Sequence, residues 1–104
     1  MILELGAGAG LLGLVASQFC KQLLMTDNQQ VVLDLMTKNL KFAKKNNVIV
    51  KSFSWGQEQA QQLEQELQIG KIDMIIGSDI IFWPASVNPL VKIINLDYDT
   101  QIFL

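Results

Sequence analysis

The chain has 104 residues, half of them hydrophobic, with a formal net charge of −2 at pH 7, so it can form one small domain, residues 1–104. The acidic balance and the absence of arginine disfavour a nucleic-acid surface, which needs clustered cations. The absence of histidine excludes Ser–His and Cys–His nucleophiles, and a metal site would have to be built from one cysteine and carboxylates, so no metal is expected.

Strand and helix patterns alternate from the start of the chain. Residues 2–5 predict a strand, and residues 11–21 predict a helix buried on a wide face, with apolar positions 11, 12, 14, 15 and 19. Residues 22–27 predict a second strand. Residues 31–45 return to helical spacing, with apolar positions 31, 32, 35, 36, 40, 42 and 43. The lysines near the end of this helix are interpreted as its solvated end.

The second half repeats the alternation. Residues 47–53 predict a third strand, residues 58–68 a largely exposed helix that ends at Gly70, and residues 72–82 a fourth strand. A last helix is expected over about 86–95, with prolines at its entry, and residues 97–104 begin a fifth strand. Such alternation predicts an α/β fold, a Rossmann-like doubly wound parallel sheet with helices on both faces. Ligands bind such sheets beyond the carboxyl ends of the strands.

Glycines follow the first predicted strand at positions 6, 8, 10 and 13. Residues 8–13 match the G-x-G-x-x-G pattern of dinucleotide sites, and residues 6–10 match the loop of S-adenosylmethionine-dependent methyltransferases. Both patterns serve one physical need, because a turn without Cβ atoms lets a ligand approach the backbone. The loop therefore predicts a nucleotide ligand and leaves its identity open.

Two acidic residues flank this loop. Glu4 interrupts an apolar strand, where burial of an unpaired carboxylate costs several kcal/mol. The amino group of S-adenosylmethionine would relieve that cost, whereas a phosphate would increase it; alternatively, Glu4 caps amides of the glycine loop. Asp27 ends the second strand, where an acid accepts hydrogen bonds from the ribose of either cofactor. Asp27 can also cap the helix that starts near Gln29.

Two later motifs distinguish the cofactors. Residues 52–56 read SFSWG and place Trp55 after the third strand, where its ring could pack against adenine or in the core. Residues 73–84 read DMIIGSDIIFWP and end the fourth strand with Asp79 and Phe82. Together with ELGAGAGLLG at 4–13 and Asp27, this set resembles the seven-strand methyltransferases. Within them it is similar to the protein-lysine methyltransferase group called family 16, over nearly the whole chain.

The resemblance implies S-adenosyl-L-methionine as cofactor. The residues that it assigns to the cofactor are Glu4, Gly6, Gly8 and Gly10 along the methionine part, Asp27 at the ribose, and Asn28, Ser54 and Trp55 around the adenine.

The resemblance also implies an acceptor side with two catalytic residues. Asp79 would orient the methyl acceptor or the amino group of the cofactor, and Phe82 would form one wall of the acceptor channel. Trp83 would add to that wall or pack under Pro84.

The implied activity is transfer of a methyl group to a lysine side chain of a protein substrate. This chemistry suits a chain without histidine, because displacement at a sulfonium chiefly requires positioning of the acceptor and exclusion of water. Two alternatives stay open: a non-catalytic binding module with a methyltransferase fold, and an NAD-binding Rossmann domain.

The resemblance further implies that the chain is a partial methyltransferase core. Members of the family carry a segment before the first strand and a β-hairpin after the fifth, whereas here the first predicted strand starts at residue 2 and the sequence stops at Leu104. We therefore expect a fragment or a reduced relative.

The expected location is intracellular, cytoplasmic or nuclear. No apolar run reaches the roughly 18 residues of a membrane span, and no leader with a cleavage site precedes the first strand. The lone Cys20 fits a reducing compartment. No membrane association is expected.

Overall fold

The computed structural model describes residues 1–67, 72–94 and 101–103. Predictions on residues 68–71, 95–100 and 104, including the helix end at Gly70 and the start of the fifth strand, lie outside the described residues. The elements in chain order are β1 (Ile2–Glu4), α1 (Leu11–Ala16), β2 (Leu23–Asp27), α2 (Gln30–Ala43), β3 (Val48–Ser52), α3 (Gln57–Leu67), β4 (Met74–Ile76), α4 (Pro84–Ile94) and β5 (Gln101–Phe103).

The five strands form one sheet in the order β3-β2-β1-β4-β5, and every neighbouring pair is parallel. Strand β1 is central, so that Leu3 pairs with Leu24 on one side and with Ile75 on the other. The chain moves outward from β1 to β3 and then returns to place β4 on the other side of β1. This confirms the predicted Rossmann-like doubly wound sheet, and it places the reversal of strand order at β1.

Each face of the sheet has its own buried core. Leu3 and Leu5 point to the face covered by α3 and α4, where they pack with Leu63 and Leu90. The opposite face is covered by α1 and α2, and its buried residues are Leu23, Met25, Leu33, Met36 and Ile76. Glu4 alternates with Leu3 and Leu5 along β1, so its side chain lies on the α1 and α2 face.

Helix α1 is shorter than predicted, because it ends at Ala16 rather than near residue 21. The hydroxyl of Ser17 donates a hydrogen bond to the Leu14 carbonyl oxygen at 2.8 Å. The side-chain amide of Asn47 then donates to the carbonyl oxygens of Ser17 and Cys20, at 2.8 and 3.0 Å. These bonds satisfy carbonyl groups at the helix end and turn the chain into β2.

The predicted burial of α1 on a wide face was wrong on its outer side, and α2 also exposes apolar residues on its outer side. Helix α2 buries Leu33 and Met36 against the sheet, but helical geometry turns other apolar residues outward. One sheet face cannot cover so wide an apolar surface on each helix. The exposed apolar side chains of the two helices and of the turn after α1 are Leu11, Val15, Phe19, Val31, Leu35 and Phe42.

The region between β4 and α4 also differs from the prediction. Strand β4 ends at Ile76 rather than near residue 82, and α4 begins at Pro84, two residues before the predicted start. Proline is compatible with the first position of a helix, where no partner for an N–H group is required. The shorter strand leaves residues 77–83 as a loop at the carboxyl edge of the sheet. Within the described ranges, no helix has the length and apolar character needed to cross a bilayer.

Candidate functional site

A cavity of about 480 Å³ lies at the carboxyl edge of the sheet. It receives residues from the segments that follow β1, β2, β3 and β4 and from the start of α4, because parallel strands direct their carboxyl ends to one edge. The lining residues are Gly6, Asp27, Asn28, Gln29, Val32, Phe53, Ser54, Trp55, Asp79, Ile80, Phe82, Trp83, Ser86 and Pro89.

The cavity unites most of the residues that the sequence assigned to a site. These are Gly6, Asp27, Asn28, Ser54, Trp55, Asp79 and Phe82, and Trp83 joins them. Glu4, Gly8 and Gly10 are not among the lining residues. Of the predicted set, the residues after β2, β3 and β4 therefore meet in one space, whereas part of the glycine loop lies beside it.

Asp27 connects the end of β2 to the glycine loop. Its Oδ2 accepts a hydrogen bond from the Gly8 amide at 3.2 Å. Its Oδ1 accepts from the amides of Asn28 and Gln29, at 2.8 and 3.2 Å. These bonds anchor the turn that precedes α2, whereas the helix itself begins without a side-chain cap at Gln29. The same carboxylate also faces the cavity.

Gly6 allows the ends of three strands to approach each other. Its φ is +59°, and a Cβ atom there would lie 2.9 Å from Ile80 Cγ2 and 3.7 Å from the Trp55 ring. A side chain at this position would therefore be strained in backbone and crowded in space. Because Gly6 has no Cβ, Trp55 and Ile80 can both lie close to the glycine loop, at the wall of the cavity.

Glu4 lies beneath the loop rather than on the cavity wall. Its side chain is 1% exposed, and its Oε2 has no hydrogen-bond partner among the described residues. The carboxyl group faces Gly13 of α1, since a Cβ at that glycine would lie 2.2 Å from Oε2. Burial raises the pKa of Glu4 to about 7, and a hydrogen bond with the Gly13 backbone opposes this rise.

We expect this buried carboxyl to make the stability of the protein pH-dependent. Between about pH 5 and pH 6.5, Glu4 ionises in the unfolded chain but keeps its proton in the native state, so the free energy of unfolding falls as pH rises. Relative to Glu4→Gln, which cannot titrate, the wild type should lose about 2 kcal/mol over this interval. Urea unfolding of both proteins across this range measures the difference. A difference that stays constant with pH would contradict the assignment.

Asp79 occupies an unusual backbone conformation after β4. Its φ is +55°, in the left-handed region that residues other than glycine rarely adopt. The Asp79 side chain is exposed and lines the cavity. Phe82 and Trp83 follow it and are 78% and 64% exposed, so two large aromatic side chains stand at the rim. Such exposed aromatic groups are typical of binding surfaces.

Sequence reasoning missed several lining residues. Gln29 and Val32 lie at the start of α2, and Ser86 and Pro89 lie in the first turns of α4. A signal for them was available, because helices that follow parallel strands begin at the carboxyl edge of the sheet. Ile80 was within the recognised motif, but its contact with Gly6 depends on the packing of β4 beside β1.

The charges of the cavity favour a ligand with a positive group. Asp27 and Asp79 are its acids, and no lysine is among the described residues that line it. The aromatic ring of Trp55 offers a flat apolar surface, and Asn28 and Ser54 offer polar groups nearby. Within the described ranges, no group of three or more Cys, Asp or Glu residues is arranged to hold a metal ion.

Similarity to proteins of known activity agrees with this geometry. Protein N-lysine methyltransferase METTL21A of Mus musculus is 30% identical over 93 residues, which are 86% of this chain and 40% of that protein. The chain thus spans less than half the length of this curated relative. PKMT2 from Rickettsia typhi is 30% identical with a TM-score of 0.65, covering 88% of this chain and 17% of that one.

A more distant solved structure shares the fold alone. Precorrin 8W decarboxylase from Methanobacterium thermoautotrophicum aligns with a TM-score of 0.69 at 17% identity, covering 97% of this chain and 50% of that chain. The family described as lysine methyltransferase matches residues 1–102. Because this match extends over nearly the whole sequence, the chain belongs to the lysine methyltransferase family.

Proposed function

We propose that the chain binds S-adenosyl-L-methionine in the cavity of about 480 Å³ and directs its methyl group to a lysine side chain of a protein substrate. The observation that carries the proposal is the convergence of Asp27, Trp55 and Asp79 on one cavity lined by two carboxylates and, among the described residues, no cation. The family membership and the name of the mouse relative support lysine as the acceptor.

The residues present fit this cofactor. When bound, it supplies a methyl group on a sulfonium. Each carboxylate offers about four acceptor positions, so Asp27 has about one left for a ribose hydroxyl in addition to the three amides it holds. The Trp55 ring provides a face for adenine. Asp79 provides a negative charge for the amino group of the cofactor or for the acceptor.

The transfer step needs positioning more than acid–base chemistry. The acceptor lysine ammonium would first release one proton to water. The lone pair of the neutral amine would then form the new bond to the methyl carbon while the carbon–sulfur bond breaks and its electron pair stays on sulfur. The chain contributes by aligning the amine with the methyl group, and alignment of this kind is worth about 7–11 kcal/mol in favourable intramolecular reactions.

The dinucleotide alternative receives less support from the cavity. A pyrophosphate would bring two negative charges close to Asp27 and Asp79, with no lysine among the described lining residues to balance them. The binding-module alternative requires the same cavity as the enzyme. Such a module would bind the cofactor without transferring the methyl group.

Calorimetric titration distinguishes the two candidate cofactors. We expect S-adenosylmethionine and S-adenosylhomocysteine to bind the chain, and NAD to bind at least tenfold more weakly. A thermal shift should accompany binding, because ligand at 100 times its Kd adds about 2.7 kcal/mol to the free energy of unfolding. Tighter binding of NAD, or no binding of either adenosyl compound, would contradict the proposal.

Replacing Asp79 with alanine tests the acceptor side. We expect Asp79→Ala to lower methyl transfer to lysine peptides by about 100-fold, a loss typical of a group that positions or activates a reactant. The Kd for S-adenosylhomocysteine should change by less than threefold. Radiolabelled methyl transfer followed by amino-acid analysis for methyl-lysine measures the rate, and calorimetry measures the Kd.

Asp34→Ala is the matched control for this experiment. Asp34 lies on the exposed side of α2, where its carboxylate accepts a hydrogen bond from the side chain of Gln30. Its removal should leave both measurements unchanged. Equal losses of transfer and of cofactor affinity in Asp79→Ala would assign Asp79 to cofactor binding instead.

A further inference from the structure

A second cavity of about 580 Å³ adjoins the first. Asp79 and Ile80 line both cavities, so the two spaces meet at the loop that follows β4. The end of β4 and the residues just after it form part of the remaining wall, and its other residues are Leu12 of α1, the loop residue Ile81 and Phe103 at the end of β5. None of these last three residues belongs to the site predicted from the sequence.

The two cavities cover different parts of the carboxyl edge of the sheet. The first extends from Asp27 at the end of β2 and Trp55 after β3 to the loop that follows β4. The second lies over the ends of β4 and β5. The Gly77 amide donates a hydrogen bond to the Phe103 carbonyl oxygen at 2.9 Å, and this bond fixes Phe103 beside the end of β4.

The second cavity combines apolar walls with one carboxylate. Ile81 and Phe103 are 61% and 59% exposed although both are large and apolar, and Leu12 faces them from α1. Among the described lining residues, Asp79 supplies the one acidic side chain, at the junction with the first cavity. A side chain with an apolar stem and a positive end is complementary to this arrangement, because the stem contacts the walls while the cation meets the carboxylate.

We propose that the second cavity receives the acceptor lysine, with its methylene stem along Leu12, Ile81 and Phe103 and its amino nitrogen beside Asp79. This inference rests on the proposed function, since it places the methyl donor in the adjoining cavity. It assigns the acceptor wall to the end of β5 and to Ile81, whereas Phe82 lines the cofactor-side cavity.

The test uses Nα-acetyl-lysine methylamide as the probe, titrated into the chain saturated with S-adenosylhomocysteine. Isoleucine methyl groups labelled with ¹³C report the binding position by NMR. We expect a saturable shift of the Ile81 and Ile80 signals. The signal of Ile49 should not shift, because this residue lies in β3 at the opposite edge of the sheet. Nα-acetyl-norleucine methylamide, which lacks the ammonium group, should bind about fivefold more weakly.

Two variants and one matched control complete the design. Phe103→Ala should weaken binding of the lysine probe by about fivefold through loss of apolar and cation–π contact, with the S-adenosylhomocysteine Kd within twofold of wild type. Ile81→Ser, at an exposed loop position, should weaken binding of the lysine probe by a similar factor, measured from the shift of the Ile80 methyl signal. Phe42→Ala removes the same side chain at the 89% exposed end of α2 and should change neither affinity.

The outcomes separate this inference from the proposed function. If S-adenosylhomocysteine binds but the lysine probe leaves Ile81 unshifted, or Phe103→Ala and Ile81→Ser bind the probe like wild type, the inference is overturned and the proposed function stands. If S-adenosylhomocysteine does not bind the wild-type chain, both are overturned. Shifts confined to the indole signals of Trp55 and Trp83 would place the acceptor in the first cavity and also overturn the inference.

Discussion

Gly13→Ala should lower the free energy of unfolding by about 3 kcal/mol, the upper range for overpacking a buried site. The new Cβ would lie 2.2 Å from Glu4 Oε2 and 2.9 Å from Met25 Cγ and Sδ. Alanine favours a helix over glycine by about 1 kcal/mol, which is too little to offset this crowding. Both neighbours are completely buried, so neither side chain has space into which to move. Urea unfolding measures the loss.

Gly8→Ala is the matched control for this prediction. Gly8 has a φ of +57°, but a Cβ there would meet no atom within 4 Å. The control should therefore lose only the backbone cost of about 1–2 kcal/mol. In the background Glu4→Ala, the loss caused by Gly13→Ala should shrink, because one of its two steric contacts is absent. A stabilising effect of Gly13→Ala would show that helix propensity outweighs packing.

Asp27→Asn should weaken binding of S-adenosylhomocysteine by about 100-fold, because hydrogen bonds to a charged group contribute about 1.5–3 kcal/mol each. The asparagine amide keeps one acceptor oxygen, whereas Asp27 uses both oxygens to hold the amides of Gly8, Asn28 and Gln29. The substitution therefore affects the ligand contact and the position of the glycine loop together. Calorimetry measures the Kd, and urea unfolding reports the loss of loop anchoring.

Asp34→Asn provides the same chemical change on the exposed surface of α2, where the carboxylate is bonded by Gln30. This control should leave the Kd and the free energy of unfolding within experimental error of wild type, as exposed substitutions usually do. A Kd within threefold of wild type for Asp27→Asn would remove Asp27 from the ligand site and leave it only as the anchor of the loop.

The sequence predicted the alternation of strands and helices well because each element has a clear apolar period and glycine or proline near its ends. Element ends were less predictable. Helix α1 stops at Ala16 because Asn47, thirty residues from Ser17, takes the carbonyl groups after it, and no local pattern shows that contact. The exposed Leu11 and Val15 of α1 were also misassigned to a buried face, since an apolar period does not reveal how much of a helix face the sheet covers.

The candidate site was predictable where it depends on the ends of strands. Asp27, Trp55 and Asp79 each follow a strand, and the parallel sheet brings them to one cavity. The position of Glu4 was harder to predict from the sequence motifs. Its alternation with Leu3 and Leu5 directs it away from one core and toward α1, but only the packing of Gly13 shows how closely the helix encloses the carboxyl group.

The central position of β1 has a consequence for biosynthesis. Ile2 of β1 pairs with Leu23 of β2 on one side and with Met74 of β4 on the other. Strand β2 leaves the ribosome soon after β1, but Met74 is synthesised about fifty residues later than Leu23. During that interval the nascent sheet has an apolar strand with one open edge, and open edges favour pairing with other chains. Chaperones that shield such edges during translation should therefore increase the yield of folded protein, because the sheet becomes continuous only after both halves are synthesised.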